Sequence, residues 1–155
     1  MSGKGFTVEE ALNRAIAMEE QSYSLYTWAI RKARTPGGRK LFEELIQEER
    51  KHKEKLLSIR DGKAKLSEFT GSEAKVVDLK IVDYLADVKL SEDMGFQEIL
   101  IYAGKREKYT YEYYDSLSKK FKGELGRLFE ALADEELNHK YRIEKLYDDE
   151  VLRET

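Results

Sequence analysis

The chain has only two histidines, and each closes the same phrase, Glu49-Arg50-Lys51-His52 in the first half and Glu136-Leu137-Asn138-His139 in the second. A Glu-x-x-His step on a helix puts a carboxylate and an imidazole on one face, a turn apart, because positions i and i+3 are surface neighbours. Both groups ligate divalent cations. Two such steps from facing helices make most of a dinuclear metal site. The sequence has no cysteine, which removes disulfides, thiolate ligands and thiol nucleophiles and leaves carboxylate and imidazole as the available donors.

The phrases are part of a longer duplication. Leu41 to Lys53 aligns with Leu128 to Lys140, and Leu, Phe, Glu, Leu, Glu, Glu, His and Lys recur in register. The preceding segment repeats as well, Ala15, Glu19, Tyr23 and Tyr26 falling on Ala103, Glu107, Tyr111 and Tyr114. The chain therefore reads as two copies of one helical hairpin.

Apolar periodicity predicts four helices, at about residues 8 to 34, 39 to 60, 95 to 121 and 124 to 149. Pro36, the only proline, stands before Gly37 and Gly38 and separates the first two. The first stripe runs Val8, Leu12, Ala15, Glu19, Tyr23, Tyr26, Ile30, Ala33, and the second Phe42, Leu45, Glu49, His52, Leu56, Ile59. The third runs Phe96, Leu100, Ala103, Glu107, Tyr111, Tyr114, Leu117, Phe121, and the fourth Leu125, Leu128, Leu132, Glu136, His139, Ile143, Leu146. Each seam carries its acid near mid-helix. Residues 61 to 94 form a connection too long for a turn, within which Val76 to Val88 is expected to make a short helix. Chain length and pattern predict a single all-α domain over residues 1–155.

Four carboxylates turned into one bundle core repel one another and lose hydration, so a cation or protons must compensate. The seams offer no Lys or Arg at matching levels. A pair of divalent cations would neutralise Glu19, Glu49, Glu107 and Glu136, with His52 and His139 as two neutral ligands. Glu48 and Glu135 precede ligand positions and by helical phase are expected to face solvent.

Formal net charge is −3, from interspersed Lys and Glu without a basic block, which points away from nucleic acid. No apolar leader and no membrane-length apolar run occur, so the expected location is the cytoplasm, without a membrane partner.

One Glu from each of two helices and a Glu-x-x-His from each of the other two is the donor pattern of dinuclear carboxylate bundles. With Tyr26 seven residues after Glu19, Tyr114 seven after Glu107, and Glu-Glu-x-x-His starting at both Glu48 and Glu135, the chain resembles the rubrerythrin branch of the ferritin-like superfamily. The resemblance implies a ferritin-like four-helix bundle with a long crossover between helices 2 and 3. It implies two metal ions, iron foremost, with manganese and zinc suited to the same donors. Glu49 and Glu136 would bridge them, Glu19 and Glu107 would bind terminally, and each metal would take one histidine. Tyr26 and Tyr114 would hydrogen-bond to the acids, whereas Tyr23 and Tyr111 stand open between that role and packing.

The implied function is a di-iron oxidoreductase that reduces peroxide or dioxygen with electrons from a separate, rubredoxin-like donor protein. A ferritin-like ferroxidase or storage role, and a metal-free helical interaction module, are the alternatives. The crossover makes a homodimer the expected assembly. Two departures stand out. The cysteine-ligated iron of full-length rubrerythrins has no residues to hold it here, and Thr110 stands where many members carry a further glutamate. The family's exchange of a glutamate and a histidine on one iron lacks that glutamate.

Overall fold

Thr7 starts the first helix, α1 (Val8–Ala29), by accepting from the Glu10 backbone N–H while Glu10 reaches back to Thr7, a reciprocal cap that satisfies two orphan donors. The computed structural model describes residues 7–65 and 76–152. A single 3-10 turn, Ile30–Lys32, follows α1, so its α-helical part stops short of the expected residue 34. Thr35 caps α2 (Pro36–Arg60), and Pro36 occupies the first turn, where its missing N–H costs nothing. Proline thus begins this helix three residues before the expected start.

The second hairpin comprises α3 (Phe96–Lys120) and α4 (Gly123–Glu150), joined by a tight link in which Gly123 adopts φ 70°. Among the described residues there is no strand, and no helix is long and apolar enough to cross a membrane.

α1 packs chiefly on α2 and α3 chiefly on α4. Polar contacts across the hairpins set the remaining directions. Tyr26 reaches Glu107 while Tyr114 reaches Glu19, so α1 and α3 are antiparallel. Glu44 meets Arg142 and His52 meets Glu135, so α2 and α4 are antiparallel. Hence α2 and α3 run parallel, and the connector must travel the length of the bundle. The result is the expected all-α four-helix bundle with a long crossover.

Its apolar core falls into two clusters. One contains Tyr26, Phe42, Leu45, Ile99, Leu100 and Ile143, and the other Ala15, Leu56, Tyr114, Leu117, Phe129 and Leu132. The mid-helix acids lie on the same seams, between the residues of these two clusters. The seams themselves differ from expectation in one detail. In α1 and α3 they pass through Ser22 and Thr110, both buried, and leave Tyr23 and Tyr111 half-buried at the flank.

The connector also departs from expectation. Within Val76 to Val88 only a 3-10 turn forms, Val82–Tyr84. Its backbone and side chains are drawn toward α3 and α4 instead. The Val82 N–H donates to Glu144 Oε2 at 2.9 Å, Lys80 sits at φ 57°, and Asp78 and Asp83 lie 2.6 and 3.0 Å from the Lys140 ammonium. Lys140 is fully buried, and Glu144 Oε2 on the next turn lies 3.3 Å from it. Burial alone would favour losing its proton, but the three acids outweigh that and raise its pKa above the ordinary lysine value.

Val82 is buried beside Gly104, where an added Cβ would lie 2.7 Å from Val82 Cγ1. Gly104→Ala should therefore overpack the site and cost about 1–3 kcal/mol in urea unfolding. Combining it with Val82→Ala should recover part of that loss, seen as a coupling energy in the double-mutant cycle.

Candidate metal centre

All four helices contribute to one buried polar belt. Glu19 comes from α1, Glu49 and His52 from α2, Glu107 from α3, and Glu136 and His139 from α4, and none is more than 4% exposed. Their donor atoms form two groups, Glu19–Glu49–His52–Glu136 and Glu49–Glu107–Glu136–His139, each with its atoms within 4.8 Å of one another. Glu49 and Glu136 belong to both groups. The two imidazoles lie parallel, 8° between planes and 5.8 Å between centroids.

Whether a cation pair fits is decided by the atoms left without hydrogen bonds. These include Glu19 Oε2, both oxygens of Glu49, His52 Nδ1, Glu107 Oε2, Glu136 Oε1 and His139 Nδ1. Buried polar atoms are ordinarily paired, and here the unpaired ones include an atom from each of the six residues. The other ring nitrogens have partners, His52 Nε2 with Glu135 at 2.5 Å and His139 Nε2 with Glu48 at 3.2 Å. With Nε2–H donated outward, each Nδ1 lone pair is free to face a metal. The residues fit two cations.

Without metal, protons must balance the charge. Burial, then Glu49, pushes Glu19 up to about 7, and burial with Glu107 lifts Glu136 well above the carboxylate range. Burial would lower both histidines, but the surrounding acids, Glu19 at His52 and Glu49 at His139, raise them well above their ordinary value. Glu49 is also pushed up by burial, yet His139 and His52 bring it well below the usual range.

Tyr26 donates to Glu107 Oε1, and Tyr114 donates to Glu19 Oε1 at 2.7 Å. Each tyrosine thus fixes the acid of the opposite hairpin. No hydrogen bond among the described residues joins the hydroxyl of Tyr23 or Tyr111 to these acids.

The rubrerythrin family profile matches residues 10–92 and 98–155. The chain belongs to the rubrerythrin family. Searches of curated proteins and of solved structures returned no match.

Against the rubrerythrin pattern, Thr110 is the informative departure. Its hydroxyl lies 3.1 Å from Glu136 Oε2 and 3.0 Å from the Glu107 carbonyl, so a neutral hydroxyl contacts a shared acid where many members have a further carboxylate. Ser22, its repeat counterpart, is buried and its hydroxyl has no partner.

Glu48 departs from the expectation of a solvated acid, being half-buried, whereas Glu135 is exposed as expected. The carboxylate of each nonetheless reaches the histidine of the opposing helix, and Glu48 also accepts from Arg142 at 2.8 Å. One residue before a seam position is about 100° around the helix, which here is the flank against an antiparallel neighbour. Burial raises the Glu48 pKa, but His139 and Arg142 lower it to about 2, so it stays ionised. The sign of its presence was the doubled glutamate in both repeats.

Two outcomes follow. Metal binding should expel protons from both histidines and Glu136, and from the part of Glu19 still protonated at neutral pH. Affinity should therefore rise with pH through neutrality, with proton release measurable in weakly buffered titration. Glu49→Ala or Glu136→Ala should abolish binding of the pair, whereas Glu48→Ala or Glu135→Ala should weaken metal affinity by about 10–100-fold, read by competition with a chelator.

Proposed function

We propose that this rubrerythrin-family chain holds two iron ions and reduces peroxide or dioxygen with electrons from a separate donor protein. The observation that carries the reading is the sharing of Glu49 and Glu136 between two otherwise separate donor groups. Such sharing is the arrangement that holds a pair of cations close enough to act on one small oxygen species. Glu19 and His52 would complete one site, and Glu107 and His139 the other.

Bound iron would supply the electron transfer to oxygen that the side chains cannot perform. The chain's own residues do the rest. Tyr114 and Tyr26 orient Glu19 and Glu107 through their hydroxyls. Glu135 and Glu48 orient the imidazoles through Nε2, and the Thr110 hydroxyl contacts Glu136. The apolar clusters on the same helices keep bulk water away from the belt. These 155 residues contain no cysteine, so a thiolate-ligated iron that would pass electrons onward lies outside them.

Carboxylate and imidazole also suit manganese and zinc, so metal identity is part of the proposal. Protein purified without chelators and then loaded anaerobically with Fe(II) should bind a pair of irons per chain, and peroxide should oxidise them faster than free Fe(II). Tightly held zinc with no oxidation on peroxide addition would overturn the redox reading while leaving the metal centre intact. An unchanged melting temperature on metal addition would favour the metal-free helical module.

A further inference from the structure

The two hairpins repeat both the tyrosine that contacts a site acid and the phenylalanine stacked on it, Phe42 at Tyr26 and Phe129 at Tyr114, but they differ in the other ring contacts. Tyr26 is backed by phenylalanines, stacking on Phe42 at 5.6 Å, which meets Phe96 edge-on at 5.5 Å. The repeat counterparts of Tyr113 and Tyr109 on this side are Leu25 and Gln21. Among the described residues the ring contacts of Tyr26 lead to phenylalanine and not to a further phenol.

Tyr114 is different. Its ring lies 5.8 Å from that of Tyr113, within the range of direct aromatic contact. Tyr113 is half-buried, and Tyr109 stands one turn before it on the same face of α3, at the i, i+4 spacing that makes neighbours. Arg14 joins the last pair, its guanidinium 5.2 Å from the Tyr113 ring centre and donating to the Tyr109 hydroxyl at 2.7 Å. Tyr109 is 50% exposed. A line of three phenols therefore runs from a site acid to the surface on one side of the molecule, while the ring contacts of the matching tyrosine on the other side lead to phenylalanines.

We propose that Tyr114, Tyr113 and Tyr109 form a relay that carries oxidising equivalents from the metal centre to the surface when hydrogen peroxide is present and donor electrons are not. The inference rests on the proposed metal-dependent function and adds a surface exit to it. Reducing one peroxide to two waters consumes two electrons and two protons. A phenol oxidised to a neutral phenoxyl supplies one of each, so two passes along the relay close the balance.

At Tyr114 the electron leaves inward while the phenolic proton shifts along the hydrogen bond to Glu19, and both are restored when Tyr113 refills it. Tyr109 releases its proton to water, and Tyr113, whose hydroxyl donates to the Ala11 carbonyl at 3.2 Å, loses its proton to solvent at its half-buried edge and regains one when Tyr109 refills it. Arg14 donates to the Tyr109 oxygen and so leaves the phenol's own hydrogen free to face solvent. The surface phenoxyl is then consumed by a thiol-class reductant, two thiols yielding one disulfide for two phenoxyls reduced, or couples with a second Tyr109 phenoxyl through a new carbon–carbon bond.

The test is excess hydrogen peroxide added to the iron-loaded full chain without a donor, followed by peptide mass spectrometry of oxidised and cross-linked tyrosines and electron paramagnetic resonance of frozen samples. Tyr84, 86% exposed and outside the line, is the internal control. Oxidation at Tyr109 above that at Tyr84, lost in Tyr113→Phe at unchanged iron content, supports the relay. In Tyr109→Phe, cross-linked dimer should disappear and oxidation should stop at Tyr113, which keeps the test decisive if Tyr113→Phe fails to fold. Oxidation ranked by exposure, with Tyr84 at or above Tyr109, or Tyr109 oxidation that survives Tyr113→Phe, overturns it. Iron content and peroxide oxidation of iron, measured on the same sample, separate the two failures. Absence of bound iron overturns the metal reading and this relay with it, whereas bound, oxidised iron with exposure-ranked labelling overturns the relay alone.

Discussion

Four carboxylates and two imidazoles occupy the middle of an otherwise apolar bundle, and that cost organises the rest of the molecule. Each buried ion forfeits hydration worth on the order of several kcal/mol, which its neighbours recover only if geometry and charge both match. Protons can balance the charge, but an atom on each of the six residues still lacks a hydrogen bond, the histidine Nδ1 atoms meeting the acids only at ion-pair distances of 3.2–4.0 Å. The surrounding polar groups serve to hold this arrangement still. Tyr26, Tyr114, Glu48 and Glu135 each bind a site residue of the opposite hairpin, so the bonds that orient the belt are also the bonds that join the two halves. Apolar clusters built from the same four helices complete the enclosure.

Much of this was legible in the sequence because the chain states it twice. A single Glu-x-x-His would have been ambiguous, but repetition with the acid of the preceding helix placed Glu19, Glu49, His52, Glu107, Glu136 and His139 on common seams, and the structure brings these six together. What helical periodicity resolves poorly is the flank. Tyr23 and Ser22 differ by one position, as do Glu48 and Glu49, and which of them faces a partner depends on the angle at which the neighbouring helix crosses. The doubled glutamates were visible as a motif, yet reading Glu48 as solvated treated a helix as having two faces, when a bundle helix has a core face, a solvent face and two shoulders, and even the exposed Glu135 reaches across to His52.

The connector was the less legible part, for a different reason. Its conformation is set by distant groups and not by local pattern. Asp78 and Asp83 are held by Lys140, Val82 by a notch at Gly104 and by Glu144, and none of these pairings has a spacing that sequence alone would single out. A fully buried lysine in a run of exposed-looking charges is the clearest case. Its three acids arrive from the connector and from the next turn of α4, so the ion cluster ties the crossover to the helix that also carries His139. Docking of the connector and placement of that imidazole share one rigid element.

The near-symmetry of the belt makes its small asymmetries meaningful. With Thr110 in place of a further acid, each candidate metal position has the same donors: one unshared glutamate, two shared glutamates and one histidine. Any difference between the two positions must then come from beyond those donors. The structure offers three such differences. Thr110 contacts Glu136, while Ser22, its counterpart, leaves Glu49 without a hydroxyl partner. Glu48 is gripped by Arg142, whereas the repeat places the more flexible Lys55 near Glu135. Both tyrosines stack on a phenylalanine, but only Tyr114 also touches a tyrosine that leads outward. A duplicated hairpin thus supplies two equal positions, and substitutions just outside them are where one position can be tuned apart from the other without disturbing the charge balance that the core requires.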